Sequence, residues 1–109
     1  MKKSLKFEEC LVPLVLSGEK TVTWRLFDDK DLRVGDEIDL INSNTKEVFR
    51  RAKLVEIREK PLGAITDKDF DGHEKFESEE KMYETYRKYY GDKVNKDTTV
   101  KIIKFKLSD

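Results

Sequence analysis

The sequence contains one cysteine and one histidine in 109 residues, and these two shortages exclude several kinds of site. A single cysteine rules out an intrachain disulfide and is typical of proteins from a reducing cytoplasm, which is where we expect this protein. One cysteine and one histidine are too few for a zinc site built from those residues. Cys10 lies in an apolar run and is predicted to be a buried thiol, because a catalytic cysteine needs a nearby histidine or a positive environment.

The chain also lacks a net charge and a long apolar run. Lys+Arg and Asp+Glu both number 23, whereas a dedicated non-specific nucleic-acid binder normally carries a basic excess. A local basic face on the strands stays open. The longest apolar run, residues 10–16, includes Pro13 and is too short to span a membrane, and no signal peptide pattern is apparent. We therefore expect a soluble protein with no membrane partner.

Hydrophobic periodicity divides the chain into helices and strands within one predicted domain, residues 1–109. In chain order, the pattern predicts a short opening strand at 5–7, a helix over 7–16, strands over 20–26, 37–42 and 46–58 with a bulge near 50–51, a helix from Ser78 to Gly91, and a closing strand over 98–107. This order indicates an α+β protein in which five to six strands curl into a small barrel with two or three flanking helices.

The stretch SGEKTVTWR, residues 17–25, places several reactive side chains directly after a glycine. At strand period one face carries Thr21, Thr23 and Arg25, and the other carries Val22 and Trp24. Trp24 is predicted to anchor the core together with Val22. Taken alone, the polar face indicates a solvated surface strand with cross-strand polar pairs, and a site in a cleft is the alternative.

A site would need a nucleophile, a base and an electrostatic partner. Thr23 supplies a hydroxyl, which stays a weak nucleophile until a neighbour accepts its proton. Lys20 is able to accept it only if burial or nearby cations lower its pKa well below the free value of ~10.4. Lys20 and Thr23 are three positions apart, so an ideal strand would point them to opposite faces, and the turn at Gly18 must reorient the lysine.

Gly18, Lys20, Thr23 and Arg25 follow a predicted amphipathic helix in the order G-x-K-x-x-T-x-R. This pattern resembles the signature of ASCH domains, a branch of the PUA-like β-barrel superfamily. The L-R-V-G-D turn at 32–36 and the alternating strand IIKFKL at 102–107 also resemble that superfamily. The resemblance covers about residues 5–107 and implies a PUA-like barrel.

Within ASCH domains the chain is most similar to small bacterial N4-acetylcytidine amidohydrolases, which carry R-K-T-x-T-x-R. The resemblance implies Thr23 as nucleophile, Lys20 as base and Glu74 as proton donor, with Glu77 as the rival carboxyl. It implies no metal and no cofactor. Two departures are visible, since Glu19 replaces a basic residue and Trp24 replaces a smaller aliphatic one.

Four further residues are predicted to contact the substrate: Gly18, Thr21, Arg25 and His73. Arg25 would steady an oxyanion or a ligand oxygen. For His73 the alternative is a solvated position in a loop. The tyrosines of the second helix are explained either by core packing or by a wall on which a base stacks. Two functions therefore remain, a hydrolase acting on a modified nucleoside and a non-catalytic module that binds RNA or a nucleotide. The expected partner is that nucleoside or RNA, and a monomer is expected.

Overall fold

The structure, a computed structural model, describes residues 3–27, 31–71, 73 and 75–108. The strands are β1 (Lys3–Phe7), β2 (Val22–Leu26), β3 (Glu37–Asn42), β4 (Val48–Pro61) and β5 (Thr99–Ser108). The α-helices are α1 (Val12–Ser17) and α2 (Glu79–Tyr90), and single 3₁₀ turns cover Glu9–Leu11, Leu62–Ala64 and Asp67–Phe70. The predicted order of elements is confirmed.

The five strands form one sheet in the order β1-β3-β4-β5-β2, curled into a half-barrel. Only β1 and β3 run parallel, and the other three pairings are antiparallel. The predicted α+β class is confirmed. Since β1 and β2 are the edge strands of the described sheet, their backbones border the open side of the half-barrel.

Two apolar clusters cover the two faces of the sheet. Ile103 belongs to the cluster that contains Val15 of α1, whereas Ile102 belongs to the cluster that contains Met82 and Tyr86 of α2. The alternation along β5 explains this division, because successive side chains of a strand point to opposite faces. Each helix therefore packs on its own face of the sheet. Trp24 packs in the α2 cluster, as the sequence pattern predicts.

The first helix is shorter than the 7–16 pattern predicts. β1 continues to Phe7, a 3₁₀ turn covers Glu9–Leu11, and α1 begins only at Val12. Pro13 explains the late start, because proline fits the first turn of a helix and not its interior. The prediction of a buried Cys10 is wrong, since the 3₁₀ turn leaves this thiol exposed.

β4 contains two irregularities that adjust its register. Leu40 pairs with Arg50 and Ile41 with Val48, so Phe49 is the extra residue of a bulge. Leu54 pairs with Phe105 and Glu56 with Lys104, so Val55 is extra in the same way. The bulge predicted near 50–51 is confirmed within two residues. Bulges increase local twist, which helps a long strand follow a curled sheet.

A buried carboxylate fixes the segment that follows β4. The Asp69 side chain is 2% exposed and accepts from Lys60 Nζ at 2.7 Å and from Arg58 Nη2 at 3.0 Å. It also accepts from the Thr66 backbone N–H at 2.8 Å. Burial opposes ionisation, but the hydrogen bonds from Lys60, Thr66 and Arg58 outweigh it and lower the pKa of Asp69 from 3.8 to about 2.

This carboxylate should make stability depend on acid pH. A folded-state pKa below the unfolded one gives stabilisation that is present above the unfolded value and is lost as pH falls through the folded one. We expect the free energy of unfolding to fall by roughly 2 kcal/mol between pH 5 and pH 2 on account of Asp69. Denaturant titrations across this range would test it. The loss of unfolding free energy should be smaller in Asp69→Asn than in the wild type. It should equal the wild-type loss in Asp67→Asn, because Asp67 is an exposed carboxyl of the same turn. Equal pH dependence in the wild type and both variants would contradict the assignment to Asp69.

Candidate functional site

A cavity of about 400 Å³ lies where the edge strands β1 and β2 meet α2. Its described wall combines buried polar groups, aromatic rings and a polar rim: Lys6, Phe7, Glu8, Leu11, Lys20, Thr23, Trp24, Arg25, Ser43, His73, Phe76, Thr85, Tyr86, Tyr89 and Tyr90. This volume falls in the range of small-molecule sites, roughly 300–1,000 Å³. Four of the seven residues predicted for the site, Lys20, Thr23, Arg25 and His73, line this cavity.

Lys20 and Thr23 reach the same cavity because the strand starts later than predicted. β2 begins at Val22, so Lys20 lies in the connection between α1 and the strand. Gly18 ends α1 with φ of 87°, a left-handed conformation that favours glycine, and the Lys20 N–H donates to Leu14 O at 3.0 Å. Lys20 is therefore outside the two-residue alternation of the strand, which would have placed its side chain on the face opposite Thr23.

Both side chains are buried polar groups. Lys20 is 3% exposed and Thr23 is 5% exposed, and Lys20 Nζ donates to Val22 O at 2.9 Å. Thr23 pairs with Ile103, so it points to the face of the sheet opposite Trp24, which pairs with Ile102. Thr23 is therefore not on a solvated face of the strand, which was one of the two explanations for the polar face. A buried amine and a buried hydroxyl in one cavity wall are suited to proton exchange and to recognition of a polar ligand.

Arg25 connects the two edge strands beside the cavity. Its Nη2 donates to Lys6 O of β1 at 2.6 Å, and its guanidinium lies 5.1 Å from the centroid of the Phe7 ring. The planar guanidinium has five N–H donors in a fixed geometry, which suits it to carbonyl, carboxylate and phosphate oxygens. Arg25 thus holds the open side of the half-barrel together at the cavity.

The cavity has an aromatic wall of four nearly parallel rings. His73 stacks on Trp24 with ring centroids 4.1 Å apart and an angle of 19°. Tyr86 lies 6.2 Å from Trp24 at 18°, and Tyr90 lies 6.3 Å from Tyr86 at 22°. His73 is buried, so the solvated loop position considered for it is not observed. Tyr86 packs in the core, as considered for the tyrosines, and it also lines the cavity.

A polar rim lies at the exposed side of the cavity, and sequence reasoning missed it. The hydroxyl of Tyr89 donates to Glu8 Oε1 at 2.5 Å, and both residues are exposed. Ser43 lines the cavity nearby because its N–H donates to Phe7 O at 2.8 Å. Glu8 and Ser43 follow β1 and β3, whose parallel pairing brings their ends together. No local motif marks these residues, so only the pairing could have revealed them.

Two of the other predicted residues, Gly18 and Thr21, lie away from this cavity. Gly18 and Thr21 line a second depression, whose described wall shares no residue with the first cavity. Glu74 lies outside the described residues. Glu77 is exposed and is absent from the described lining of the cavity.

The basic residues of β4 and β5 do not form a continuous positive strip. Glu56 pairs with Lys104 and Glu59 with Lys101 across the two strands, while Lys53 pairs with Lys106. Among the described residues, no group of three or more histidine, cysteine or acidic side chains is placed to hold a metal ion. No helix in the described ranges is long and apolar enough to cross a membrane.

Comparisons with known proteins give structural relatives only. No family model matches the sequence, and no curated protein matches it. A DUF984 protein from Enterococcus faecalis V583 superposes with a TM-score of 0.82 at 13% identity, over 100% of this chain and 81% of that one. The ASCH domain from Lactobacillus crispatus JV V101 gives 0.70 at 15% identity, over 90% and 70%. ASCH from Zymomonas mobilis gives 0.67 at 17% identity, over 97% and 66%.

These identities are low, and the similarity extends over nearly the whole of this chain. It therefore concerns the fold, with its curled sheet and flanking helices. The chain has the fold of ASCH domains, as the sequence motif around Lys20, Thr23 and Arg25 predicts.

Proposed function

We propose that this protein hydrolyses the acetyl amide of N4-acetylcytidine or a related modified nucleoside. The observation that carries the proposal is the burial of Lys20 and Thr23 in the wall of one aromatic-lined cavity. Removing a lysine and a threonine side chain from water costs free energy, which apolar side chains at the same positions would not cost. Chemistry on a ligand gives a reason for placing these two polar side chains there.

The cavity suits a planar heteroaromatic ligand. Five aromatic side chains line its wall: Trp24, His73, Phe76, Tyr86 and Tyr90. Stacking of a base on an aromatic side chain contributes roughly 1–3 kcal/mol, and the polar groups of the wall then orient the ring. A nucleobase satisfies both requirements in a way that an aliphatic amide does not.

The first chemical step transfers the acetyl group to Thr23. The mechanism requires the neutral amine of Lys20, which is the form able to accept a proton. Thr23 Oγ bonds to the acetyl carbonyl carbon as its proton passes to Lys20. The bond from that carbon to the exocyclic nitrogen then breaks, and the nitrogen takes a proton from the carboxylic acid of Glu74. The products are the free nucleoside and an acetyl ester of Thr23.

The second step restores the protein. Water attacks the ester carbonyl as Glu74, now a carboxylate, accepts a proton from the water. The bond to Thr23 Oγ breaks, Lys20 returns its proton to that oxygen, and acetic acid leaves and loses its proton to the solvent. Arg25 lines the cavity together with Thr23, and a guanidinium is suited to stabilising the oxyanion in both steps.

Binding of RNA or a nucleotide without catalysis is the second candidate. Phe27 is 50% exposed, contacts Tyr90 of the cavity wall edge-on at 5.9 Å, and has Lys93 Nζ 4.3 Å from its ring centroid. An exposed ring beside a cation is the kind of platform on which single-stranded nucleic acids stack. The paired charges on β4 and β5 argue against a long backbone-binding groove.

Incubation of the purified protein with N4-acetylcytidine, followed by chromatography, separates the two functions. Hydrolysis gives cytidine and acetate in equal amounts, above a reaction without protein. Absence of cytidine, together with binding to single-stranded RNA that weakens steeply with salt, would overturn the hydrolase and favour the binding module.

The proton donor can be identified by a pair of matched variants. We expect Glu74→Gln to lower kcat for N4-acetylcytidine by about 10²-fold or more, since an amide has no proton to give to the leaving nitrogen. Glu77→Gln, three positions away, should retain most of the activity. The reverse order would transfer the role to Glu77, and full activity in both variants would remove the acid step from the mechanism.

A further inference from the structure

The polar rim, defined as Glu8, Ser43 and Tyr89, faces the same cavity as Lys20 and Thr23 from its exposed side. The proposed chemistry does not use it. We infer that the rim is the sugar site: the Glu8 carboxylate accepts hydrogen bonds from the ribose hydroxyls, so the protein selects ribonucleosides over 2′-deoxyribonucleosides. This inference rests on the proposed function, because it assumes that a nucleoside occupies the cavity.

The orientation of the ligand follows from the geometry of cytosine. The exocyclic nitrogen is attached to C4, and the sugar is attached to N1, directly across the ring. When the acetylated nitrogen meets Lys20 and Thr23 in the buried wall, the sugar must point toward the exposed side. The two ends of the cavity differ accordingly, since Lys20 and Thr23 are nearly inaccessible whereas Glu8 and Tyr89 are exposed.

The chemistry of the rim fits a diol. A carboxylate accepts about four hydrogen bonds and donates none, and the adjacent hydroxyls of ribose are donors. The Tyr89 hydroxyl donates to Glu8 Oε1 and the Cys10 thiol donates to Oε2 at 3.6 Å, and since each carboxylate oxygen accepts two hydrogen bonds, both are able to accept another. Ser43 adds a hydroxyl that is able to donate or accept.

Glu8 also bears on phosphorylated ligands. It is the carboxylate that lines the cavity among the described residues, and it lies where the ribose hydroxyls would be. A phosphate attached to the 3′-oxygen would remove one donor and bring a second negative charge toward this carboxylate. The rim therefore favours a ligand whose ribose hydroxyls are free.

The test compares N4-acetylcytidine with N4-acetyl-2′-deoxycytidine. We expect wild-type kcat/KM to favour the ribonucleoside by roughly tenfold to a hundredfold, the range for one hydrogen bond to a charged group. The ratio should decrease in the order wild type, Glu8→Gln, Glu8→Ala, and approach one in the last. Glu9→Ala, an exposed neighbour outside the described cavity lining, should keep the wild-type ratio. A ratio near one in the wild type, or an unchanged ratio in Glu8→Ala, would overturn the inference.

A binding experiment distinguishes this inference from the proposed hydrolysis. Trp24 is the one tryptophan of the sequence and lines the cavity, so its fluorescence reports occupancy. If neither acetylated nucleoside is hydrolysed, the hydrolase fails, and titration with cytidine and 2′-deoxycytidine still tests the rim. Tighter binding of cytidine that depends on Glu8 would support the sugar site. Equal affinities, or no binding of either nucleoside, would overturn it.

Discussion

Replacing Thr23 by alanine is expected to reduce kcat for N4-acetylcytidine by at least about 10³-fold, because the substitution removes the proposed nucleophile. The side chain is 5% exposed and small, so the substitution should change stability far less than activity. Thr23→Ser keeps the hydroxyl and should retain measurable turnover. The measurement is the rate of cytidine formation by each variant at saturating substrate.

Thr45→Ala is the matched control for Thr23→Ala. Thr45 lies in the turn between β3 and β4, is exposed, and is absent from the described lining of the cavity. Its substitution should leave kcat unchanged. Wild-type activity in Thr23→Ala would exclude this threonine as the nucleophile, and would point to a water molecule activated by another group.

Replacing Lys20 by methionine is expected to have the second largest effect. Methionine matches the length and apolar stem of lysine but accepts no proton, so kcat should fall by about 10²–10⁴-fold, the usual range for loss of a general base. Lys20→Arg should be equally inactive, since a guanidinium stays protonated. Thermal unfolding of both variants would show whether the loss comes from chemistry or from the fold.

A double substitution tests whether Lys20 and Thr23 act together. Residues of one catalytic unit are strongly non-additive, so Thr23→Ala combined with Lys20→Met should be no slower than the slower single variant. Multiplied losses would mean that the two residues contribute independently. Lys20 would then be a binding group and not the base that activates Thr23.

The order of elements in the fold could be predicted from local patterns. β5 alternates clearly, Ser78 accepts from the Lys81 N–H as a helix N-cap, and Gly91 ends α2, all as the sequence indicates. The boundaries of helices and strands are harder to predict where a single residue constrains the backbone. Pro13 delays α1 to Val12, and the outcome is a 3₁₀ turn and an exposed Cys10 that an uninterrupted helical pattern does not predict.

Some residues of the site could be predicted from a local motif, and others could not. Lys20, Thr23 and Arg25 lie within six positions of one another, so a short motif was enough to bring them into consideration. Glu8, Ser43 and Tyr89 come from the ends of β1 and β3 and from α2. Their proximity depends on the parallel pairing of β1 with β3 and on the docking of α2, and neither is encoded in a local pattern.

The turn before β2 shows why a periodicity argument alone misjudged Lys20. Strand period separates positions 20 and 23 only if both belong to the strand, but the hydrogen bond from Lys20 N to Leu14 O keeps the lysine in the helix-to-strand connection. Strand period also fails for Thr21, which it would place on the same face as Thr23. Thr21 precedes the first residue of β2 and lines the second depression with Gly18.

The most direct test is a single-turnover reaction, with protein in excess over N4-acetylcytidine, that measures release of cytidine by the wild type and by Thr23→Ala. Excess protein removes product release from the measured rate and isolates transfer of the acetyl group. The proposed function requires rapid release of cytidine by the wild type and none above background by Thr23→Ala. Equal rates for the two proteins, or no cytidine from the wild type, would contradict it.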